Sequence, residues 1–185
     1  MRQLNENVFA DFPRLKTKRL TLREIRPEDA ASIYEMRSNG RVNQFMPRPR
    51  MEALEESENL VQRTIQAYEN RQGIGWAGVL RDGKTIIGTC GFNRIEYHNL
   101  RAEIGGEMGT AYWGKGIALE AVEAILDFGL NVFGLHTIEA RVSPLNRGAV
   151  RVLEHWGFVK EAHFKDCVYF QNQFSDMAVY TLFGK

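Results

Sequence analysis

The chain is poor in the features that mark many specialised proteins. It has two cysteines, Cys90 and Cys167, and no C-x-x-C pair. Two thiols cannot build a disulfide framework, so both read as buried free thiols of a reducing compartment. No apolar run approaches the roughly 18 residues that a membrane-spanning helix needs. The opening stretch MRQLNENVFADFPR has no apolar signal region. These absences point to the cytoplasm and away from a membrane. Charge of one sign is also missing: 24 Lys and Arg against 23 Asp and Glu leave a net charge of +1. A nucleic-acid surface calls for a clear basic excess, and the local run RLKTKRLTLREIR (Arg14–Arg26) reads instead as a solvated strand face. The four histidines, His98, His136, His155 and His163, are scattered without an H-x-x-x-H pair. No metal site is expected from them.

What remains is an ordinary globular composition, 44% hydrophobic and 25% charged over 185 residues. That length suits one domain with a sizeable core. Residues 1–16 read as an irregular N-terminal arm and residues 17–185 as a single domain. RLTLREI (Arg19–Ile25) is a predicted strand. Pro27-Glu28-Asp29 opens a helix to about Met36, with its acids in the first turn, where the helix dipole favours them. Leu54, Val61, Ile65 and Tyr68 share one helical face, which predicts a second helix over Glu52–Asn70. Trp76–Ile95 reads as a hairpin turning at Asp82-Gly83, and Ala102–Met108 as a further strand. Gly105-Gly106 in that strand suggests a bulge or a close backbone approach. Gly116–Phe133 is a long, mostly buried helix whose polar side is Glu120, Glu123, Asp127 and Asn131. Thr137–Val142 alternates as a strand. Asn146 is placed to cap a helix ending at Gly157, and FVKEAHF and DMAVYTLF are late strands. Strands and helices in this order make a mixed α/β domain.

The stretch WGKGIA (Trp113–Ala118) stands directly ahead of the long helix. A helix start carries unpaired N–H groups and partial positive charge. Gly114 and Gly116 would let an anion approach that backbone closely, and Lys115 adds a charge. A phosphate seat and a plain tight turn both satisfy this pattern. The loop is neither a G-x-x-x-x-G-K-[ST] loop nor a G-x-G-x-x-G turn, since Leu119 holds the third position.

The remaining motifs are more specific. TKRLTLREIRPEDA, AEIGGEMG, YWGKGIALEA, GLHTIEARVSPLNRGAVRVLEHWGF and FSDMAVYTL follow one another across about Thr17–Leu182. In that order the chain resembles the GNAT acyl-CoA N-acyltransferase superfamily, and within it the RimJ/RimL-type branch that acetylates ribosomal-protein N-termini. The resemblance implies the acyl-CoA N-acyltransferase fold: a mixed, mostly antiparallel central sheet with a splayed strand pair and flanking helices. It implies acetyl-CoA as cosubstrate, with no metal. The diphosphate would rest on Gly114, Lys115, Gly116, Ile117 and Ala118. Trp113 would pack beside that loop, and the pantetheine arm would hydrogen-bond like an added strand to the edge of Glu107–Thr110, with Met108, Gly109 and Thr110 as its contacts. The Met108 N–H would face the oxyanion, and Asn146 would lie near the arm. An Ala102–Met108 strand splayed from Thr137–Val142 would admit the thioester, and a bulge at Gly105-Gly106 would free donors toward it.

The resemblance also implies catalytic candidates. Glu103 stands where some relatives place a general base, with a surface ion pair to Arg101 or Arg141 as its alternative role, and Glu107 is second. Ser143 and Tyr169 are candidate proton donors or water-orienting groups. The tyrosine that many members carry in the helix after the asparagine is replaced here by Leu153. Only a neutral amine attacks a thioester. At pH 7 an α-amine is roughly a tenth neutral, while a lysine is neutral below about one part in a thousand. A chain without a clear acid–base pair therefore suits an α-amine better, such as a ribosomal-protein N-terminus. A small amine (amino acid, polyamine or drug), a non-catalytic acyl-CoA sensor and a ligand-free interaction module are the alternatives. The late strands, if exposed, could pair two copies as a homodimer.

Overall fold

A computed structural model of the chain describes residues 2–184. Eight strands form one sheet: β1 Leu15–Lys16, β2 Leu20–Glu24, β3 Ile74–Leu80, β4 Ile86–Glu96, β5 Arg101–Met108, β6 Thr137–Val142, β7 Val159–Phe170 and β8 Gln173–Phe183. Their spatial order is β1-β2-β3-β4-β5-β6-β8-β7. All neighbours are antiparallel except β5 and β6. The helices are α1 Ala30–Ser38, α2 Leu54–Glu69, α3 Ile117–Asp127 and α4 Arg147–His155.

Helices on both faces explain the sequence of β3. Ile74 and Trp76 join the core under α3, with Ile117 and Ile125. Ala77 and Val79 join the core under α1 and α2, with Ile33 and Val61. A strand covered on both sides reads as a nearly continuous apolar run, and IGWAGVL does. α3 continues into a π-helical turn, Phe128–Phe133, which buries both phenylalanines and closes at Gly134. The N-terminal segment read as an irregular arm carries a 3-10 turn, Glu6–Phe9, ends in β1, paired with β2, and is strapped to the core. Leu4 and Val8 are buried, the Asn5 N–H donates to the Phe133 carbonyl at 2.9 Å, and the Trp76 indole donates to the Pro13 carbonyl at 2.6 Å.

The parallel pair is short. Only Arg101↔Thr137, Ala102↔Ile138 and Glu103↔Glu139 are in register. Beyond them β5 stays with β4 as far as Gly88↔Met108, and β6 stays with β8 as far as Val142↔Ala178. Each strand follows its outer neighbour, so the two part after Glu103 and Glu139. The expected bulge is displaced from Gly105-Gly106, which pair regularly with Gly91 and Cys90. The register shift lies on β4 between Phe92 and Arg94, so the extra residue is Asn93. A bulge bends and twists its strand, and this one sits level with the point of parting. The two glycines serve close approach instead. A Cβ on Gly105 would meet the Asn93 side chain, and one on Gly106 would stand 2.8 Å from the Thr89 carbonyl and 2.9 Å from the Cys90 sulfur.

The last two strands are longer than their sequence suggests. They turn at Gln171-Asn172, both with positive φ (49° and 60°), as a two-residue hairpin turn requires. β8 is inserted between β6 and β7, leaving β7 as an exposed edge. No helix among the described residues is long and apolar enough to cross a membrane.

Candidate active site

The glycine loop is built to leave amides bare. Gly114 and Gly116 both have φ of +71°, a left-handed conformation that side chains strain. Open space surrounds the missing Cβ of Gly114, with nothing within 4 Å. Gly116 is the N-cap of α3 and supplies no side-chain cap, so the first-turn amides of Ile117, Ala118 and Leu119 have no capping oxygen. The one acid of the first turn, Glu120, is committed elsewhere. Its carboxylate takes Arg19 Nε at 2.6 Å and the Thr17 hydroxyl at 3.0 Å. Arg19 Nη1 in turn donates to the Lys115 carbonyl at 2.8 Å. That bracket holds the loop by its oxygen. Nothing in the sequence separated Arg19 from the other basic residues of its strand.

The gap between β5 and β6 opens beside this loop. The Gly109 N–H donates to the Ile87 carbonyl at 2.8 Å. Donors alternate along an antiparallel strand, so Gly109, Glu107 and Gly105 turn toward β4 while the N–H groups of Met108 and Gly106 turn into the gap. Trp113 caps the end of β5: its indole N–H donates to the Met108 carbonyl at 2.8 Å, with its ring 42% exposed. Across the gap, Ser143 follows directly on β6, and its hydroxyl oxygen faces the Leu145 N–H at 3.4 Å. Asn146 caps α4, its side-chain oxygen accepting from the Ala149 N–H at 3.1 Å. Its amide nitrogen makes no hydrogen bond among the described residues.

The candidate catalytic residues are not all brought together. Glu103 lies on the last paired rung, at the root of the gap, with Arg141 Nε at 3.7 Å from its carboxylate. Its neighbour across that rung, Glu139, is buried and holds Arg101 at 2.7 Å and Arg141 at 2.9 Å. Tyr169 stands apart. It pairs with Phe174 at the tip of the β7–β8 hairpin, 61% exposed, and its hydroxyl donates to Asn172 at 3.1 Å. β6 ends opposite Ala178, four residues short of Phe174, which puts Tyr169 about 13 Å beyond the strand end. Leu153 is buried in the core.

Glu107 has a role that spacing did not reveal. Its side chain leaves β5 on the face opposite α3, 5% exposed, and its two oxygens hold Arg37 of α1 and Arg48 of the α1–α2 connection. Burial pushes the Arg37 guanidinium below its ordinary value. Glu107 opposes that shift, while Arg48 and Arg63 add to it. Buried Asn43 completes the assembly, donating to the Arg37 carbonyl at 2.6 Å and accepting from Arg48 Nε at 3.0 Å. A concavity of 1290 Å³ lies along the outer side of α3 and is lined by no residue of the gap.

A parallel pair parts after three rungs, with N–H groups turned inward and an uncapped helix N-terminus at its mouth, an arrangement suited to an extended, anionic ligand. Residues 19–159 match the family described as acetyltransferase (GNAT) domain, and the chain belongs to that family. It is an N-acetyltransferase, and the family uses acetyl-CoA. The chain is 34% identical over 171 residues to the uncharacterized N-acetyltransferase YoaA of Bacillus subtilis (strain 168), covering 92% of this chain and 97% of that one. It is 30% identical over 96 residues to the [ribosomal protein uS5]-alanine N-acetyltransferase of Escherichia coli (strain K12), about half of each chain (51% and 50%). The fold superposes with a TM-score of 0.86 on RimL, a ribosomal L7/L12 α-N-protein acetyltransferase solved with coenzyme A, at 18% identity and over 93% of this chain and 98% of that one.

Proposed function

We propose that this chain acetylates the α-amine of a polypeptide N-terminus, with acetyl-CoA as donor. The observation that carries the reading is the pairing of bare amides at Gly114–Ala118 with an inward Met108 N–H, one at the mouth of the gap and one on its wall. Acetyl-CoA supplies the acyl group already activated as a thioester. The amides of Gly114–Ala118 hold the diphosphate where a side chain at 114 would intrude. The edge of Gly109 and Thr110 and the amide nitrogen of Asn146 orient the arm. The Met108 N–H donates to the carbonyl oxygen as negative charge collects there. Glu103, at the root of the gap, takes the amine proton through water. Ser143, at the gap end of β6, is the remaining candidate to protonate the thiolate, since Tyr169 stands away from it.

An α-amine fits this equipment better than a lysine. It needs no strong base to be neutral in useful amount, and proximity with oxyanion stabilisation can supply most of the rate. The uS5-alanine acetyltransferase supports the same class of acceptor over half the chain. The test is calorimetry with CoA, followed by release of free thiol across an acceptor screen that includes peptides beginning Ala or Ser. Transfer to those peptides is expected. Transfer only to small amines moves the reading to small-molecule acetylation. CoA binding without thiol release from any acceptor overturns catalysis in favour of a sensor.

A further inference from the structure

Residues 37–51, from the end of α1 through the connection to α2, contain Arg37, Arg41, Arg48 and Arg50 and no aspartate or glutamate. Among the described residues, the one carboxylate ion-paired with them comes from outside, from Glu107, and it serves both Arg37 and Arg48. Arg41 lies with its guanidinium 5.6 Å from the centre of the Trp113 ring. Arg50 packs beside Gly40, within 3.0 Å of where a Cβ would stand. Neither Arg41 nor Arg50 has an acidic partner among the described residues. Four arginines against one glutamate make this stretch basic, with Glu35 of α1 and Glu52 standing at its two ends.

The position of this excess is set by two contacts. Glu107 immediately precedes Met108, whose N–H turns into the gap, and the Trp113 under Arg41 holds the Met108 carbonyl. Arg37, Arg41 and Arg48 therefore stand beside the end of β5 that lines the gap, with Arg50 behind them against Gly40. The diphosphate seat proposed above is the N-terminus of α3, so on that reading an amine meets the acyl carbon from the arginine side. The connection is pre-organised there by Asn43, which ties Arg37 O, Asn39 O and Arg48 Nε together, and by the Met51 N–H on Arg37 O at 3.3 Å.

We propose that this arginine wall selects acceptors bearing carboxylates close behind the reacting amine, that is, acidic polypeptide N-termini. The inference rests on the peptide reading above and names the kind of peptide. A carboxylate at the second to fourth residue gains a charge-assisted contact with Arg41 or Arg50. The same positive field disfavours an ammonium ion, so it raises the neutral fraction of a bound α-amine and repels polyamines and lysine-rich termini. Arg41 also lies near the glycine loop, where an excess charge could serve the diphosphate instead, and the test separates these uses.

The experiment measures kcat/KM at saturating acetyl-CoA for three peptides that begin with the same serine and carry acidic, neutral or lysine residues at positions two to four. The acidic peptide is expected to exceed the neutral one by roughly tenfold, and the lysine peptide to fall below both, with the spread shrinking at high salt. R41Q and R50Q, both at exposed positions, should each compress the acidic-to-lysine ratio several-fold while the KM for acetyl-CoA stays put. Equal rates on all three peptides overturn the wall and leave peptide acetylation standing. A rise in the acetyl-CoA KM of R41Q that is the same for every peptide assigns Arg41 to the diphosphate and overturns its part. Acetylation of small amines with none of the three peptides accepted removes the peptide reading itself.

Discussion

Replacing Gly114 separates a structural from a ligand-binding use of the glycine loop. The position has φ of +71° and nothing within 4 Å of an added Cβ. Alanine there meets no clash, so its structural cost is the left-handed conformation alone, about 1–2 kcal/mol. Part of that is offset by the stiffer unfolded chain, which leaves a net loss near 1 kcal/mol and a fall in Tm of about 2–4 °C. Asparagine tolerates the left-handed region better, so G114N should lose less stability than G114A. Cofactor affinity should follow the opposite order. If a diphosphate rests on these amides, any side chain at 114 stands in its approach. Losing one amide bond to a charged group costs about 1.5–3 kcal/mol, or roughly ten- to a hundredfold in Kd. The larger asparagine should weaken CoA at least as much as alanine. Thermal melts and titration calorimetry with CoA on wild type, G114A and G114N read both quantities. The reasoning fails if G114N binds CoA as tightly as wild type, or if affinity simply tracks Tm.

Four further outcomes are expected. E107Q leaves Arg37 and Arg48 facing one another without a carboxylate and should cost about 3 kcal/mol, seen as a Tm lower by about 6–12 °C; an unchanged Tm would mean that the assembly carries no stability. N146A removes the cap on α4 at a cost of about 1 kcal/mol, whereas N146S restores the cap but not the amide nitrogen, so CoA binding that is normal in N146S removes Asn146 from the arm. Burial pushes the Cys90 thiol up to about 12, so native protein treated with iodoacetamide at pH 8 should label exposed Cys167 alone and label both once unfolded. Burial raises the Glu24 carboxyl, but hydrogen bonds from Arg26 and Arg14 outweigh it and hold the group at about 2 against an ordinary 4.5. Its folded pKa is depressed, so its stabilisation is present above pH 4.5 and lost as pH falls toward 2; E24Q should flatten that part of an acid-unfolding curve, and identical curves would refute the pairing.

Local patterns were legible where one residue sees its own neighbours. Val61 falls on the buried face of α2 as its spacing predicts, and Asn146 caps α4 at the predicted position. Leu54, counted on the same face of α2, begins that helix too early to reach the core and stays 43% exposed. The long β7–β8 hairpin was harder, because its turn is Gln171-Asn172 with no glycine and its outer strand is exposed. The splay of β5 from β6 has no periodic signature at all; it followed from the resemblance, and the bulge level with it, at Asn93, lies on the neighbouring strand. The Glu107 assembly joins residues separated by 70 and 59 positions along the chain. No window of sequence contains both ends, and the composition of residues 37–51 hints only at its basic half. Charge balance over the whole chain concealed it, since four arginines without an acid in residues 37–51 are offset elsewhere to a net +1.

The leucine at 153 becomes intelligible in that light. A general acid helps most when the leaving group is a strong base, and a thiolate, with a pKa near 8.5, is a weak one. Around neutral pH it departs as an anion, and water can protonate it afterwards. The demanding step is then to present a neutral amine to a carbonyl whose oxygen is already met by a donor. On the proposed reading, the Met108 N–H answers the second need, and the positive field of Arg37, Arg41, Arg48 and Arg50 answers part of the first by lowering the pKa of the bound amine. A site that shifts its substrate in this way relies less on a tuned base, which fits a Glu103 that shares Arg141 with Glu139. Leu153 is then free to pack in the core beneath α4. The strength of the acceptor as an acid, more than any acid–base pair of the protein, would then set the lower limb of the pH–rate profile.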